Sequence, residues 1–491
     1  MGLSRRLLFE ALGFLGFLGA LYVAGPLAIL AGLGLIVAGV IVLVPMVGLG
    51  LTIVTQVVTP LLGFFDVSGV ALTLTRPLGA LTLGSWLMWA LRRREAFTIS
   101  PQMVPLALFL PVLLLSVVVM PDREQSLIGA YRFAAVLILY VLVANLAAAP
   151  RRLLLVAAMV SLMATVSAGI AIVQYTTPSL AVVPDDPSRS KLDFGEGAIV
   201  DADSLESGPI KRVTGGMGES NFLACMLAAV LPLSVFWWRW FPRPEARAVV
   251  VLATGMQLCA LVLSFTRAGI LALGLAVAYL LVKRRLPVWP TMAVGFVLMV
   301  AALPLLPAGL LERFSFGFIE AGSTSIRMDL WAVAWQLIKE GGVLGHGYGQ
   351  FGPELLRRGD AQWIRDLAVT VRPDDPEIHN IMPHNLLAEI AIEYGWIAVV
   401  LFVGFFIRIF RDARDAETHG DARERDLAVC LQAGVLAFLV CGVVVHGKLL
   451  KVLWMLAGLV AALRRVAFTE RRSEGRQPAP TPLGADDRVP A

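Results

Sequence analysis

The chain has 491 residues, 58% hydrophobic and 16% charged, with mean hydropathy +0.78 and a formal net charge of +5. A soluble globular protein carries about 45–50% apolar and about 25% charged residues, so that class is excluded. Five surplus positive charges on so long a chain give no nucleic-acid surface, and Cys225, Cys259, Cys430 and Cys441, all in apolar runs, fit neither zinc spacing nor a disulfide framework.

The chain opens with Met1-Gly2-Leu3-Ser4-Arg5-Arg6 and an apolar run, like a signal peptide. No small-residue cleavage site follows and apolar sequence continues, so the run is read as a retained anchor. Residues 7–63 hold two or three crossings interrupted by Gly and Pro. Further spans are predicted at 77–92, 102–120, 126–147, 153–175, 220–238, 248–264, 268–282, 287–306, 387–408, 427–445 and 449–465. Each approaches the ~20 residues that cross a bilayer. The predicted fold is an all-α polytopic membrane protein with about 12–14 transmembrane helices.

The expected organisation is N-terminal membrane segments (1–76), membrane helices (77–175), a first outward loop (176–219) and further membrane helices (220–306). A large, partly helical outward loop (307–386) and C-terminal membrane helices (387–465) follow, then a Pro-, Gly- and charge-rich tail (466–491) expected to be disordered and cytoplasmic. Orientation comes from the short loops. Arg92-Arg93-Arg94, Arg151-Arg152, Arg239/Arg243/Arg247, Lys283-Arg284-Arg285, Arg408/Arg411/Arg414 and Arg464-Arg465 alternate so that all fall on one side. Lys and Arg are retained in the cytoplasm, which turns both long loops outward.

The first outward loop is acidic, with Asp185-Asp186, Asp193, Glu196, Asp201, Asp203 and Glu206. The second contains a helical pattern from Ser325 to Lys339, with Leu330, Ala334, Leu337 and Ile338 on one face. Ser323 or Thr324 is placed to cap it and Gly341-Gly342 to stop it. Arg327 would project from its first turn.

Four groups could carry chemistry. Arg267 sits in Ser264-Phe265-Thr266-Arg267-Ala268-Gly269, between apolar runs too long for one span, so the chain must turn there at the outer interface. Arginine within a membrane costs on the order of 3 kcal/mol. The choice is between a snorkelling turn residue and an anion ligand. Arg212 ends the first outward loop in Lys211-Arg212-Val213-Thr214-Gly215-Gly216-Met217-Gly218-Glu219-Ser220-Asn221. Its glycines allow close backbone approach to a ligand, and a helix starting at Ser220 or Asn221 would favour phosphate; an ordinary turn and cap is the alternative. His384, in Pro383-His384-Asn385, stands at the water–membrane boundary, where it suits general-base chemistry or simply helix entry. Glu389 lies within reach of it along the helix.

Weaker signals point elsewhere. His379-Asn380 repeats the dipeptide without an obvious third metal ligand. The segments Pro184–Pro187 and Pro373–Pro376 read as acidic turns before they read as cation sites. Gly341 to Gly349 has the composition of a phosphate loop but follows a helix, which fails the dinucleotide pattern. Arg212, Arg267, Arg327 and His384 thus converge on the outer face. Guanidinium forks with a base there suit a lipid-linked phosphate or diphosphate.

The order of these segments resembles the bacterial O-antigen ligase and polymerase superfamily. Ser264 to Gly269 resembles its "S-R-G/A" turn. Ser325-Ile326-Arg327 to Trp331, with Gly345-His346-Gly347-Tyr348-Gly349, resembles its arginine helix and "G-x-G" segment. Pro383-His384-Asn385 with Glu389 and Gly395 resembles its "H-N" motif. Arg212 with Gly215 and Asn221 is similar to an upstream segment, although Glu219-Ser220-Asn221 lacks the usual Pro before Asn. The resemblance covers roughly residues 200–460.

The resemblance implies a GT-C-like bundle in the bacterial inner membrane that acts without a metal or other cofactor. It implies transfer of a glycan from undecaprenyl diphosphate, on the periplasmic side, to lipid A–core or, in a polymerase, to another lipid-linked repeat. Arg267 and Arg327 would hold the diphosphate with help from Arg212, His384 would deprotonate the acceptor, and Asn385, Glu389 and Asn221 would support them. A transporter or flippase of a lipid-linked glycan is the rival from another class. It predicts internal repeats and midplane sites, whereas no two halves resemble each other here.

Overall fold

In the computed structural model, the described residues are 32–58, 65–67, 70–72, 75–93, 100–120, 122–177, 212–289, 323–360, 364–365, 378–379, 381–445 and 447–474. The chain is an all-α polytopic membrane protein. Its helices are α1 (Gly32–Leu43), α2 (Pro45–Val58), α3 (Thr75–Arg93), α4 (Met103–Val119), α5 (Arg123–Leu146), α6 (Pro150–Thr176), α7 (Ser220–Val230) and α8 (Pro232–Trp240). They continue with α9 (Pro244–Leu263), α10 (Arg267–Val282), α11 (Ser323–Gly341), α12 (Phe351–Arg358), α13 (Leu386–His419), α14 (Ala422–Gly442) and α15 (Lys451–Glu474). One small hairpin, β1 (Phe65–Val67) with β2 (Val70–Leu72), pairs antiparallel with Val67 opposite Val70 and was not expected from the sequence.

Seven helices among the described residues are long and apolar enough to cross a membrane, α7 and α8 counting as one across the Pro232 junction. Four shorter apolar helices accompany them: α1, most of α2, α4 and α10. The N-terminal anchor and most of the 287–306 span lie outside the described residues, as do nearly all of the first outward loop and both acidic Pro-flanked turns.

Local chemistry sets the helix starts. Asp122 accepts from the Gln125 amide at 3.0 Å to cap α5. Asp421 and Glu424 form a reciprocal capping box at α14. Pro150 and Pro244 stand at first helical positions, where the missing N–H costs nothing.

Helix α13 is central and packs against α4, α14 and α15, while α15 packs against α5. Trp454 is fully buried in their midst, stacked on Phe405 at 5.5 Å and edge-on to Phe133 at 5.3 Å. A second apolar cluster lies at one end of the bundle. There Leu330, Ala334, Leu337 and Ile338 of α11 pack against Phe351 and Leu355 of α12 and against Ala391 and Ile392 of α13. The four positions that define the helical face of α11 in the sequence are thus buried, together with Val333. Leu114, Val118, Leu252 and Leu271 are each more than 60% exposed, an apolar girdle that requires lipid rather than water.

One boundary needs correction. Helix α15 runs to Glu474, past the expected end of ordered structure at 465. The extension is held because Val466 and Ala467 are buried and Phe468 packs on the His419 ring at 4.8 Å.

Candidate functional site

The turn between α9 and α10 is built from short-range polar contacts. Ser264 Oγ donates to the Leu261 carbonyl at 2.6 Å, and the Thr266 amide donates to Ser264 Oγ at 3.3 Å. Phe265 takes φ +49°, a left-handed conformation that a bulky residue holds only when its surroundings impose it. The turn delivers Arg267 as the first residue of α10.

Arg212 braces this turn from the side. Its Nε donates to the Ser264 carbonyl at 3.0 Å, and its Nη2 donates to Thr266 Oγ1 at 3.0 Å and, at the limit of 3.5 Å, to Asn221 Oδ1. Thr266 Oγ1 lies 3.4 Å from Asn221 Oδ1 as well. Asn221, in the first turn of α7, therefore acts on Arg212 and Thr266. Helix α7 does start at Ser220, as its sequence predicts.

Of the glycines after Arg212, Gly215 and Gly216 are packed against the protein, while the space beside Gly218 is open. A Cβ on Gly215 would stand 2.7 Å from the Ser167 carbonyl, and one on Gly216 would stand 2.2 Å from the Val57 carbonyl. Ser167 donates to the Gly215 carbonyl at 2.6 Å, while Gln174 Oε1 accepts from the amides of Thr214 at 3.2 Å and Gly215 at 2.9 Å. The loop is thereby docked on α6 and α2, which fixes where Arg212 starts.

Arg327 belongs to α11 and lies within electrostatic reach of Arg267. Burial holds its guanidinium below the usual arginine range, and repulsion from the Arg267 charge lowers it further. Two guanidiniums that repel each other at a partly buried site suit an anionic ligand. One turn further on, Trp331 Nε1 donates to the Pro383 carbonyl at 3.0 Å. That bond ties the arginine helix to the residue before His384. His384 itself is half-buried with φ +48°. Among the described residues, the turn before Arg267 and the one holding His384 thus share this strain at the same end of the bundle.

Asn385 is the N-cap of α13. Its Oδ1 accepts from the amides of Leu387 at 3.1 Å and Ala388 at 2.9 Å, and its Nδ2 donates to the Val443 carbonyl at 2.9 Å. Glu389 is committed elsewhere than the expected histidine partner: Lys448 Nζ lies 2.8 Å from Glu389 Oε1 and also bonds Glu393 Oε2. A fully buried lysine cannot leave its carboxylates, because isolating either charge in the interior is costly. The His379 ring is turned to the Gly349 carbonyl, 3.0 Å from Nδ1, rather than toward His384.

Two functional features escaped the sequence reading. One is Lys448, which lay between two predicted spans and looked like a loop residue. Its signal was the pair Glu389 and Glu393 inside a predicted span, since membrane carboxylates need a counter-ion. The other is the docking of the Gly341–Gly349 segment on a break in α13. Gly395 has φ +77° and ψ −174°, and the freed carbonyls of Ile392 and Glu393 accept from the amides of His346 at 2.6 Å and Gly347 at 3.1 Å. In return the Trp396 amide donates to the Gly342 carbonyl at 3.2 Å.

Chemically, this end of the bundle holds the guanidiniums of Arg267 and Arg327, the N-termini of α7, α10 and α13, and an imidazole. Guanidinium forks and helix N-termini both favour phosphate oxygens. Residues 248–403 match the family model described as O-antigen ligase. This matched stretch carries most of the motifs that resemble that superfamily. It contains Arg267, Arg327, His384, Asn385 and Glu389, while Arg212, Asn221 and Lys448 fall outside it. No curated protein matches the chain.

Proposed function

We propose that the protein is a membrane glycosyltransferase of ligase type, moving a glycan from undecaprenyl diphosphate to an acceptor hydroxyl on lipid A–core. The observation that carries the reading is the Trp331–Pro383 bond, which ties the Arg327 helix to the turn that holds His384, with Arg267 within electrostatic reach of Arg327.

In this scheme Arg267 and Arg327 bind the diphosphate, and Arg212 keeps the Arg267 turn in place. His384 takes the proton from the acceptor hydroxyl as its oxygen attacks the anomeric carbon. The bond from that carbon to the diphosphate oxygen breaks, and the electron pair leaves with undecaprenyl diphosphate. The two guanidiniums offset the charge that grows there, already oriented and partly desolvated. No metal is required, because the arginines supply the positive charge. The site faces the periplasm of the inner membrane, with the C-terminus in the cytoplasm.

The test is purified enzyme with a lipid-linked repeat, with and without lipid A–core. Glycan appearing on the core is the expected result. Longer lipid-linked chains would instead make it a polymerase, and no transfer to either acceptor would sink the enzyme reading.

A further inference from the structure

The backbone break at Gly395 leaves the first part of α13, which begins beside His384, without helical continuity to the rest. The carbonyls of Ile392 and Glu393 are given to the glycine-rich loop instead of to their own helix. The attitude of residues 383–394 must then be set by lateral contacts. Lys448 makes two of them on one face, since Glu389 and Glu393 are four residues apart and lie one above the other. All three groups are at most 3% exposed.

Lys448 is itself held. Its carbonyl accepts from Trp454 Nε1 at 2.8 Å, which anchors it to the aromatic centre of the bundle. Its ammonium lies 4.9 Å from the centroid of the Tyr348 ring, and Arg132 Nη1 donates to the Tyr348 hydroxyl at 2.9 Å. The Gly349 amide reaches Glu393 Oε1 at 3.4 Å. One lysine thus gathers the broken helix, the glycine-rich loop and α5 into one register.

We infer that Lys448, through Glu389 and Glu393, is the positioning residue for the His384 turn, a role that rests on reading His384 as the base. A buried ion pair is poor evidence for stability, because apolar groups of equal volume pack as well; its best-attested use is to fix register. Register matters here because a general base must come within about 2.6–3.2 Å of the proton it takes. A misplacement near 1 Å costs about 100-fold in rate.

The test uses full-length purified enzyme with a lipid-linked repeat as donor and lipid A–core as acceptor. K448M alone strands two carboxylates in the interior and is expected to fold poorly. The deciding variant is K448M/E389Q/E393Q, which removes all three charges at nearly constant volume. It is expected to fold, to keep donor KM within about 2-fold, and to lose about 10- to 100-fold in kcat. A folded triple variant with wild-type kcat overturns the inference. So does a loss of kcat matched by a rise in donor KM, which would mean general distortion. H384A is measured beside it. If H384A is inactive and the triple variant is active, only the positioning role fails; if H384A transfers normally, the base reading fails and the inference with it.

Discussion

Arg212, Arg267 and Arg327 are alike in the sequence and differ in what their guanidiniums do. Arg212 is spent on the protein, with contacts to Ser264, Thr266 and Asn221. Arg327 feels the positive charge of Arg267, and a bound diphosphate would offset that repulsion. Lysine preserves charge but lacks the planar fork, so R267K and R327K should each raise donor Kd by about 10-fold or more, each charge-assisted bond contributing about 1.5–3 kcal/mol. Wild-type donor affinity in both variants would remove the diphosphate assignment. H384A should leave donor affinity unchanged and lower kcat by about 10²–10⁴-fold, the usual contribution of a general base. Expression and donor binding measured on the same preparation separate loss of the base from loss of the fold.

At the scale of elements, the docking of the glycine-rich loop on α13 depends on two glycines facing each other. A Cβ on Gly395 would stand 2.0 Å from the Val343 carbonyl, and one on Gly345 would stand 2.5 Å from the Ile392 carbonyl. Neither neighbour is a flexible side-chain end, so G395A and G345A meet backbone as well as the cost of positive φ. Gly342 also has positive φ, at +56°, but open space around its Cβ position. G342A should therefore cost only about 1 kcal/mol, while G345A and G395A should lower the thermal midpoint in detergent by clearly more; equal shifts in all three would argue against the docked break. The sequence made the spans legible because hydrocarbon demands long apolar runs, and α3 to α10 fall where hydropathy puts them. It also exposed the buried face of α11 through helical spacing. The docked break was not legible, because it joins two backbone stretches about fifty residues apart through amides and carbonyls that every residue has. Arg267 and His384 could be singled out because charged groups next to apolar runs are conspicuous. Lys448 could not, because its partners are 59 and 55 residues upstream.

At the scale of the molecule, the charges sort to opposite ends of the bundle. At one end Asp426 takes Arg239 at 2.8 Å and Arg285 at 2.5 Å, Asp412 takes Arg408 at 3.1 Å and Arg464 at 3.4 Å, and Lys283 meets Glu417 at 2.9 Å. These are the basic groups that the loop pattern assigns to a single side, and here they are joined by carboxylates of α13 and α14. The other end carries Arg267, Arg327 and His384. On the proposed orientation, retention of Lys and Arg would put the ion-paired end in the cytoplasm and the arginine–histidine end in the periplasm. That orientation is open to a direct chemical test. Val343 is 56% exposed at the loop docked on α13, and Arg243 is exposed between α8 and α9. Cys225, Cys430 and Cys441 are buried, so C259S leaves a background suited to single-cysteine labelling. In that background V343C should react with a membrane-impermeant maleimide added to intact spheroplasts, and R243C should react only after permeabilisation. Labelling in the reverse order would place the arginines and His384 in the cytoplasm, where a periplasmic transfer to lipid A–core could not take place.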